Sequence, residues 1–374
     1  MTAFRGLTWD HPRGYAPLAA AAALHAGEID IRWETQPLEG FESAPIPELA
    51  RDYDLIVLDH PHLGEAVTAG CLVPVAELLG SAAADRIGAG TIGAAAASYV
   101  YEGHSYALPL DAATQVQVLQ PALAGDRPAP ATWDEVLELA AELPLALSLS
   151  GPHAVLTFFS ICAGIAGEAM LSGPESPVPA AAGEAALEIL GRLDAMAVGT
   201  LREANPIQIL EAMARERAAA CCPLVYGYVN YARTNGPREG LRFVDAPALG
   251  STLGGTGIAI TRRCVLDPAL AAHLEWLLDP VVQTTFIGTH EGQPSARRAW
   301  LDAALDESSG GFYSGTRRTT EAAWVRPRFP GYIAFQSGAA QIIRDGLAER
   351  DPSPRILDRL NALWRAAQPP GAEL

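Results

Sequence analysis

At 374 residues, 49% of them hydrophobic, the chain is long enough for two domains of ordinary size and too apolar for a disordered or fibrous protein. Its formal charge is −17 and all 26 basic residues are arginine, since no lysine occurs. The missing ammonium group excludes a pyridoxal phosphate Schiff base, a class I aldolase and a P-loop, while the acidic balance argues against a nucleic-acid partner.

In chain order, Phe4 to Thr8 forms a short apolar run that predicts a strand, and "WDHPRGYAPL" breaks it before an Ala-rich helix from Tyr15 to His25. "IDIRWETQPL" alternates as a second strand would, and "YDLIVLD" reads as a third, buried one. Strand and helix thus recur at the spacing of parallel crossovers, which predicts a doubly wound lobe with ligand-facing residues beyond the carboxyl ends of its strands. "AGCLVPVAELL" gives a turn and an amphipathic helix, and "GHSYALPLDAATQVQVLQ" reads as strand, proline, strand. Thr132 with Glu135 three residues on is a capping box that opens a helix. "SGPESPVPAAAGEAA" is a loop leading into the helix "AALEILGRLDAMA", and "AAACCPLVYGYVNYA" is apolar and then aromatic. "GGTGIAITRRC" reads as a glycine-rich turn into a strand, followed by the helical "DPALAAHLEWLLDPVVQTTFIG" and, near the end, "GYIAFQSGAAQIIRDGL".

The five cysteines include the neighbours Cys221 and Cys222 and show no CxxC spacing, so they read as buried free thiols. The start has no charged region followed by an apolar stretch, and nothing reaches the roughly 20 apolar residues of a membrane span. As it stands the chain reads as cytoplasmic, and as periplasmic or extracellular if it is a processed form.

Two strand ends carry polar chemistry. Trp9, His11, Arg13 and Tyr15 follow the first strand and supply an aromatic face, a titratable ring, a forked donor and a hydroxyl, which suit a sugar ring; Arg13 equally suits a carboxylate. The alternative is a buried Trp and a surface Arg. Asp59, His60 and His62 follow the third strand, as ligand contacts or structural groups. A His-x-His metal pair there lacks a clear third ligand, and the reading is no metal.

The order of segments resembles the extracellular solute-binding proteins of ABC importers, the family 1, carbohydrate-type class with the maltose-binding-protein fold. The resemblance rests on residues 53–79, on "YEGHSYALPLDAATQVQVLQPAL" at 101–123, on "ATWDEVLELA" at 131–140 and on the glycine-led segment 254–300 that ends in "GQPSARRAW". Gln120 and Pro121 stand where that family usually has Tyr and Asn. The resemblance implies an α/β fold with the two-lobe, type II periplasmic-binding-protein-like clamp, each lobe a mostly parallel sheet flanked by helices, with the cleft between lobes. The first lobe is expected at 1–109 and 245–295 and the second at 110–244 and 296–374, with Pro109 at a crossing. It further implies ligand contacts from Asp111, Thr114 and Gln115 after that proline, and an aromatic at Tyr332. Tyr226, Tyr228 and Asn230 offer a second aromatic wall, with core or edge filling as the alternative. Gly254, Gly255 and Gly257 permit backbone contact or a tight turn; they fail as a dinucleotide signature, so no cofactor is expected.

The function implied is a non-catalytic binding protein that clamps a small polar solute, a sugar, polyol or small organic acid, and delivers it to the membrane component of an ABC importer, working as a monomer. The alternative is a cytoplasmic enzyme or sensor on the same clamp fold, with His11, His60 or His62 as acid or base. No GxSxG elbow or HExxH motif supports catalysis.

Overall fold

The frame is carried by strands β1 (Ala3–Trp9), β2 (Asp30–Gln36), β3 (Leu55–Leu58), β4 (Leu72–Val73), β5 (Ala107–Leu119), β6 (Cys221–Tyr226), β7 (Arg242–Val244) and β8 (Leu253–Thr261). They belong to a computed structural model that describes residues 3–170, 172–233 and 240–369. The chain folds as two units. Unit one is Met1–Ala113, Gly254–Leu305 and Arg328–Pro330, and unit two is Thr114–Leu253, Asp306–Pro327 and Gly331–Leu374.

In unit one the strand order is β2-β1-β3-β8-β5, with β4 on β8. The expected parallel crossovers are present in β2-β1-β3, and the sheet becomes mixed where β8 runs antiparallel to β3. All four residues of β3 are buried, which accounts for its unbroken apolar run: both faces of the strand are covered. Its core continues through Ile258 and Ile260 to Leu270, Leu274 and Leu277 of the helix Pro268–Leu277. Helix α1 (Pro12–Leu24) starts where Pro12, which has no N–H to satisfy, occupies its first turn.

Two expectations need correction. "ALPLDAATQVQVL" is one continuous strand, not two separated by a proline. The glycines of 254–257 lie within β8 and do not form a turn before it. Gly255 has φ +96°, and a Cβ there would sit 2.5 Å from the carbonyl oxygen of Asp111, so both conformation and space demand glycine.

In unit two β5 pairs antiparallel with β6 and β7, and among the described residues parallel pairing is confined to the isolated bridges of Leu145 with Ala197 and Cys221 and of Thr252 with Trp324. The helix His153–Ala166 is apolar nearly all round and buried along most of its length, packed by Ala180–Met196 and Tyr332–Glu349. The Thr132–Glu135 capping box forms as expected; the backbone N–H groups of Ala131 and Thr132 hold the Glu135 carboxylate below its usual range. The five cysteines are free thiols.

A histidine pair ties the end of α1 to the helix Pro268–Leu277 in unit one. His25 Nδ1 and His273 Nδ1 lie 2.9 Å apart, and Trp276 packs on the His25 ring at 4.4 Å. Burial, and then the facing His25, lower the His273 imidazole to about 4. An unfolded histidine titrates near 6.5, so between roughly 6.5 and 4 the unfolded chain holds a proton that the folded chain refuses. Stability contributed by neutral His273 is present above that window and is lost as pH falls through it, by on the order of 3 kcal/mol. Urea titrations of the wild type and His273→Leu from pH 7.5 to 4 test this: the wild type loses stability more steeply, whereas parallel pH profiles would contradict it.

Candidate functional site

The carboxyl end of β1 delivers Trp9, and the chain turns at once into α1. His11 caps that helix: its Nδ1 accepts the N–H of Arg13 at 3.1 Å, which places the ring proton on Nε2. Fixed by this turn, the Arg13 guanidinium meets Asp111 on β5 through both forks, Nε to Oδ2 at 2.5 Å and Nη2 to Oδ1 at 2.9 Å. Both side chains are almost wholly buried, at 4% and 3% exposure, with the guanidinium 5.7 Å from the Trp9 ring centre. Such a bidentate pair is geometrically exact and costly to split, because either partner alone is a desolvated charge. The strand around Asp111 is pinned as well: Asp111 bridges Pro294, and Gln293 Nε2 donates to the Ala112 carbonyl at 2.7 Å. Sequence reasoning named Trp9, His11 and Arg13 as one cluster and Asp111 apart from it; the fold joins Asp111 to Arg13.

After β3, Asp59 caps a short 3-10 turn, His60–His62, by accepting the His60 N–H at 2.9 Å. His60 Nδ1 lies 3.1 Å from the same carboxylate oxygen, and the ring stands edge-on to Tyr99 at 6.4 Å. Both histidines are buried. The turn corrects the strand geometry on which a His-x-His metal pair depended, since residues two apart in a 3-10 turn do not share a face. Among the described residues no group of three or more His, Cys, Asp or Glu side chains is placed to hold a metal ion.

Unit two holds a second polar cluster, and it is neutral throughout. Thr114 Oγ1 donates to the Thr252 carbonyl at 3.0 Å and also contacts Ser251 Oγ. Gln115 sits inside a ring of hydroxyls: Ser160 Oγ donates to its Oε1 at 2.6 Å, and its Nε2 donates to Thr157 Oγ1 at 3.1 Å. Ser160 Oγ in turn accepts the Thr252 N–H at 2.9 Å, and Thr252 Oγ1 lies 3.2 Å from the Tyr226 hydroxyl. Tyr226, paired in register with Gln115, is only partly buried, whereas Thr114, Gln115, Thr157, Ser160 and Thr252 are buried. The His153 ring packs edge-on against Tyr226 at 5.9 Å.

Other expected residues lie apart. β6 ends at Tyr226, while Tyr228 is buried against Tyr231 and Asn230 is buried in the 3-10 turn Val229–Tyr231, so the continuous tyrosine wall does not form. Tyr332 is fully buried and packs on Phe335, in the core of unit two. Tyr15 stays 40% exposed on α1, and Gly254 is buried in β8. Thr157, Ser160, Ser251 and Thr252 escaped notice, although two hydroxyls inside the apolar "TFFSICAG" were the available signal. The larger grooves of unit two, about 490 and 870 Å³, share Arg202, Leu347 and Ala348 and contain none of these residues.

Because Ser160 Oγ serves both Gln115 and the Thr252 N–H, Ser160→Ala leaves two buried groups without that partner. Denaturant unfolding is expected to show a loss of about 2 kcal/mol. A loss below roughly 0.5 kcal/mol, the size of an ordinary surface change, would show that the network does not organise unit two.

Residues 19–302 match the family described as bacterial extracellular solute-binding protein. No curated protein sequence matches the chain. Among solved structures, an ABC transporter solute-binding protein from Agrobacterium radiobacter K84 in complex with ribitol is similar, with TM-score 0.78, 19% identity and 98% of each chain covered. One from Thermotoga lettingae TMO bound with α-D-tagatose gives TM-score 0.80 and 15% identity over 97% of this chain and 100% of that one. The sugar-binding protein MalE from Xanthomonas citri gives 0.73 and 14% over 98% and 97%. At these identities the likeness carries the fold alone. No helix among the described residues is long and apolar enough to cross a membrane.

Proposed function

Given that this chain belongs to the bacterial extracellular solute-binding proteins, a match that spans more than half of its length, we propose that it binds a small polyhydroxylated solute, a sugar or polyol, and hands it to the membrane component of an ABC importer on the extracytoplasmic side. The observation that carries this reading is the network of hydroxyls and a carboxamide formed by Thr114, Gln115, Thr157, Ser160, Thr252 and Tyr226, of which Tyr226 is only partly buried. Hydroxyls and a carboxamide both donate and accept, so they can match the hydroxyls of a sugar without burying an unpaired charge. In unit one Trp9 and the Arg13–Asp111 pair provide an aromatic plane and a charge-compensated polar group, which suit the apolar face and the hydroxyls of the same ligand class. The ribitol and α-D-tagatose named with two structural relatives belong to that class.

Calorimetric titration against ribitol, D-mannitol, D-glucitol, D-glucose, D-galactose, D-tagatose and maltose tests the proposal. At least one is expected to bind, and Tyr226→Phe, which keeps the ring and loses the hydroxyl, is expected to weaken that ligand about tenfold, or roughly 1.4 kcal/mol. Heats indistinguishable from buffer for the whole panel would refute the ligand class, and an unchanged Kd in Tyr226→Phe would remove that hydroxyl from the site.

A further inference from the structure

The chain names an arginine where a carboxylate ligand would want one, and then spends it. Arg13 Nε and Nη2 are both directed to Asp111, one to each carboxylate oxygen, and the two side chains are 4% and 3% exposed. The fork that would grip a ligand carboxylate bidentately is therefore already occupied by a carboxylate of the chain itself. The arrangement is held from several directions: Arg13 by the His11 cap at the start of α1, Asp111 by the Pro294 bridge and by the close approach of Gly255. A formal charge of −17 further disfavours the approach of an anion.

From this we infer that Asp111 is a specificity-determining residue: by neutralising Arg13 it restricts the protein to uncharged sugars or polyols and excludes the sugar acids of the same carbon skeleton. The inference rests on the sugar or polyol reading above and narrows it. An aldonate or uronate entering beside Asp111 would place two carboxylates together with one guanidinium between them, and like-charge juxtaposition in a desolvated site costs several kcal/mol. Removing the Asp111 charge while keeping its shape returns the guanidinium to the ligand.

The test compares matched pairs at pH 7 by calorimetry: ribitol with D-ribonate, D-glucitol with D-gluconate, D-galactose with D-galacturonate. For the pair whose neutral member binds, the wild type is expected to prefer it by at least about 100-fold. Asp111→Asn is expected to narrow that preference by at least about tenfold through a gain for the acid, and the double variant Arg13→Gln/Asp111→Asn to show no such gain, since no guanidinium remains. Comparable wild-type affinities for a neutral ligand and its acid would overturn the inference while leaving the sugar or polyol reading intact, and this arm needs no variant to fold. A gain for the acid that persists in the double variant would overturn it too, because Arg13 could not be its source. Failure of every neutral ligand, with or without binding of an acid, would defeat the underlying reading and the inference together.

Discussion

A thirteen-residue strand whose every residue is buried cannot carry polar side chains unless each finds a partner, and β5 carries Asp111, Thr114, Gln115 and Gln117. That constraint organises the chemistry of both units. In unit one it forces Asp111 onto Arg13; in unit two it surrounds Gln115 with the hydroxyls of Thr157 and Ser160 and sets Thr114 against Ser251 and Thr252. Gln117 solves the same problem by donating to the Pro130 carbonyl at 3.2 Å. The residues best suited to read a hydroxylated ligand are also those that make the buried strand tolerable.

Satisfying these groups internally has a consequence for rigidity. A charge pair held at both forks and a glutamine bonded at both ends of its carboxamide have few alternative rotamers of similar energy, so these groups are held rigidly. Glycine takes part in the same arrangement: at 255 its positive φ and the lack of a Cβ, which would sit 2.5 Å from the Asp111 carbonyl oxygen, let β8 lie close to β5. Gly14 does the equivalent beside Trp9, since a Cβ there would sit 2.4 Å from the indole.

Much of the fold was legible locally. The buried run of β3, the start of α1 after the proline and the Thr132–Glu135 box depend on neighbours in sequence, and each formed as expected. Individual polar candidates were legible too, because Trp9, His11, Arg13 and Asp59 follow strand ends. Their partnerships were not. Arg13 and Asp111 are 98 positions apart, Ser160 and Gln115 are 45, and Thr114 and Ser251 are 137, distances over which no periodicity speaks. Pro109 and the glycines of β8 misled for a related reason: their local meaning is a break, and only the fold shows a strand that continues through the proline and a close approach that requires glycine. The tyrosines at 228 and 332 carried an ambiguous signal, and packing against Tyr231 and Phe335 decided it.

The central claim is that the Arg13 guanidinium is already matched by Asp111, so that the proposed solute is uncharged. Native mass spectrometry of the protein purified gently and without added ligand, followed by identification of any small molecule retained, tests it most directly. The account predicts an intact uncharged sugar or polyol at one per chain. A retained carboxylic acid or phosphorylated sugar, released when Arg13 is replaced, would contradict it.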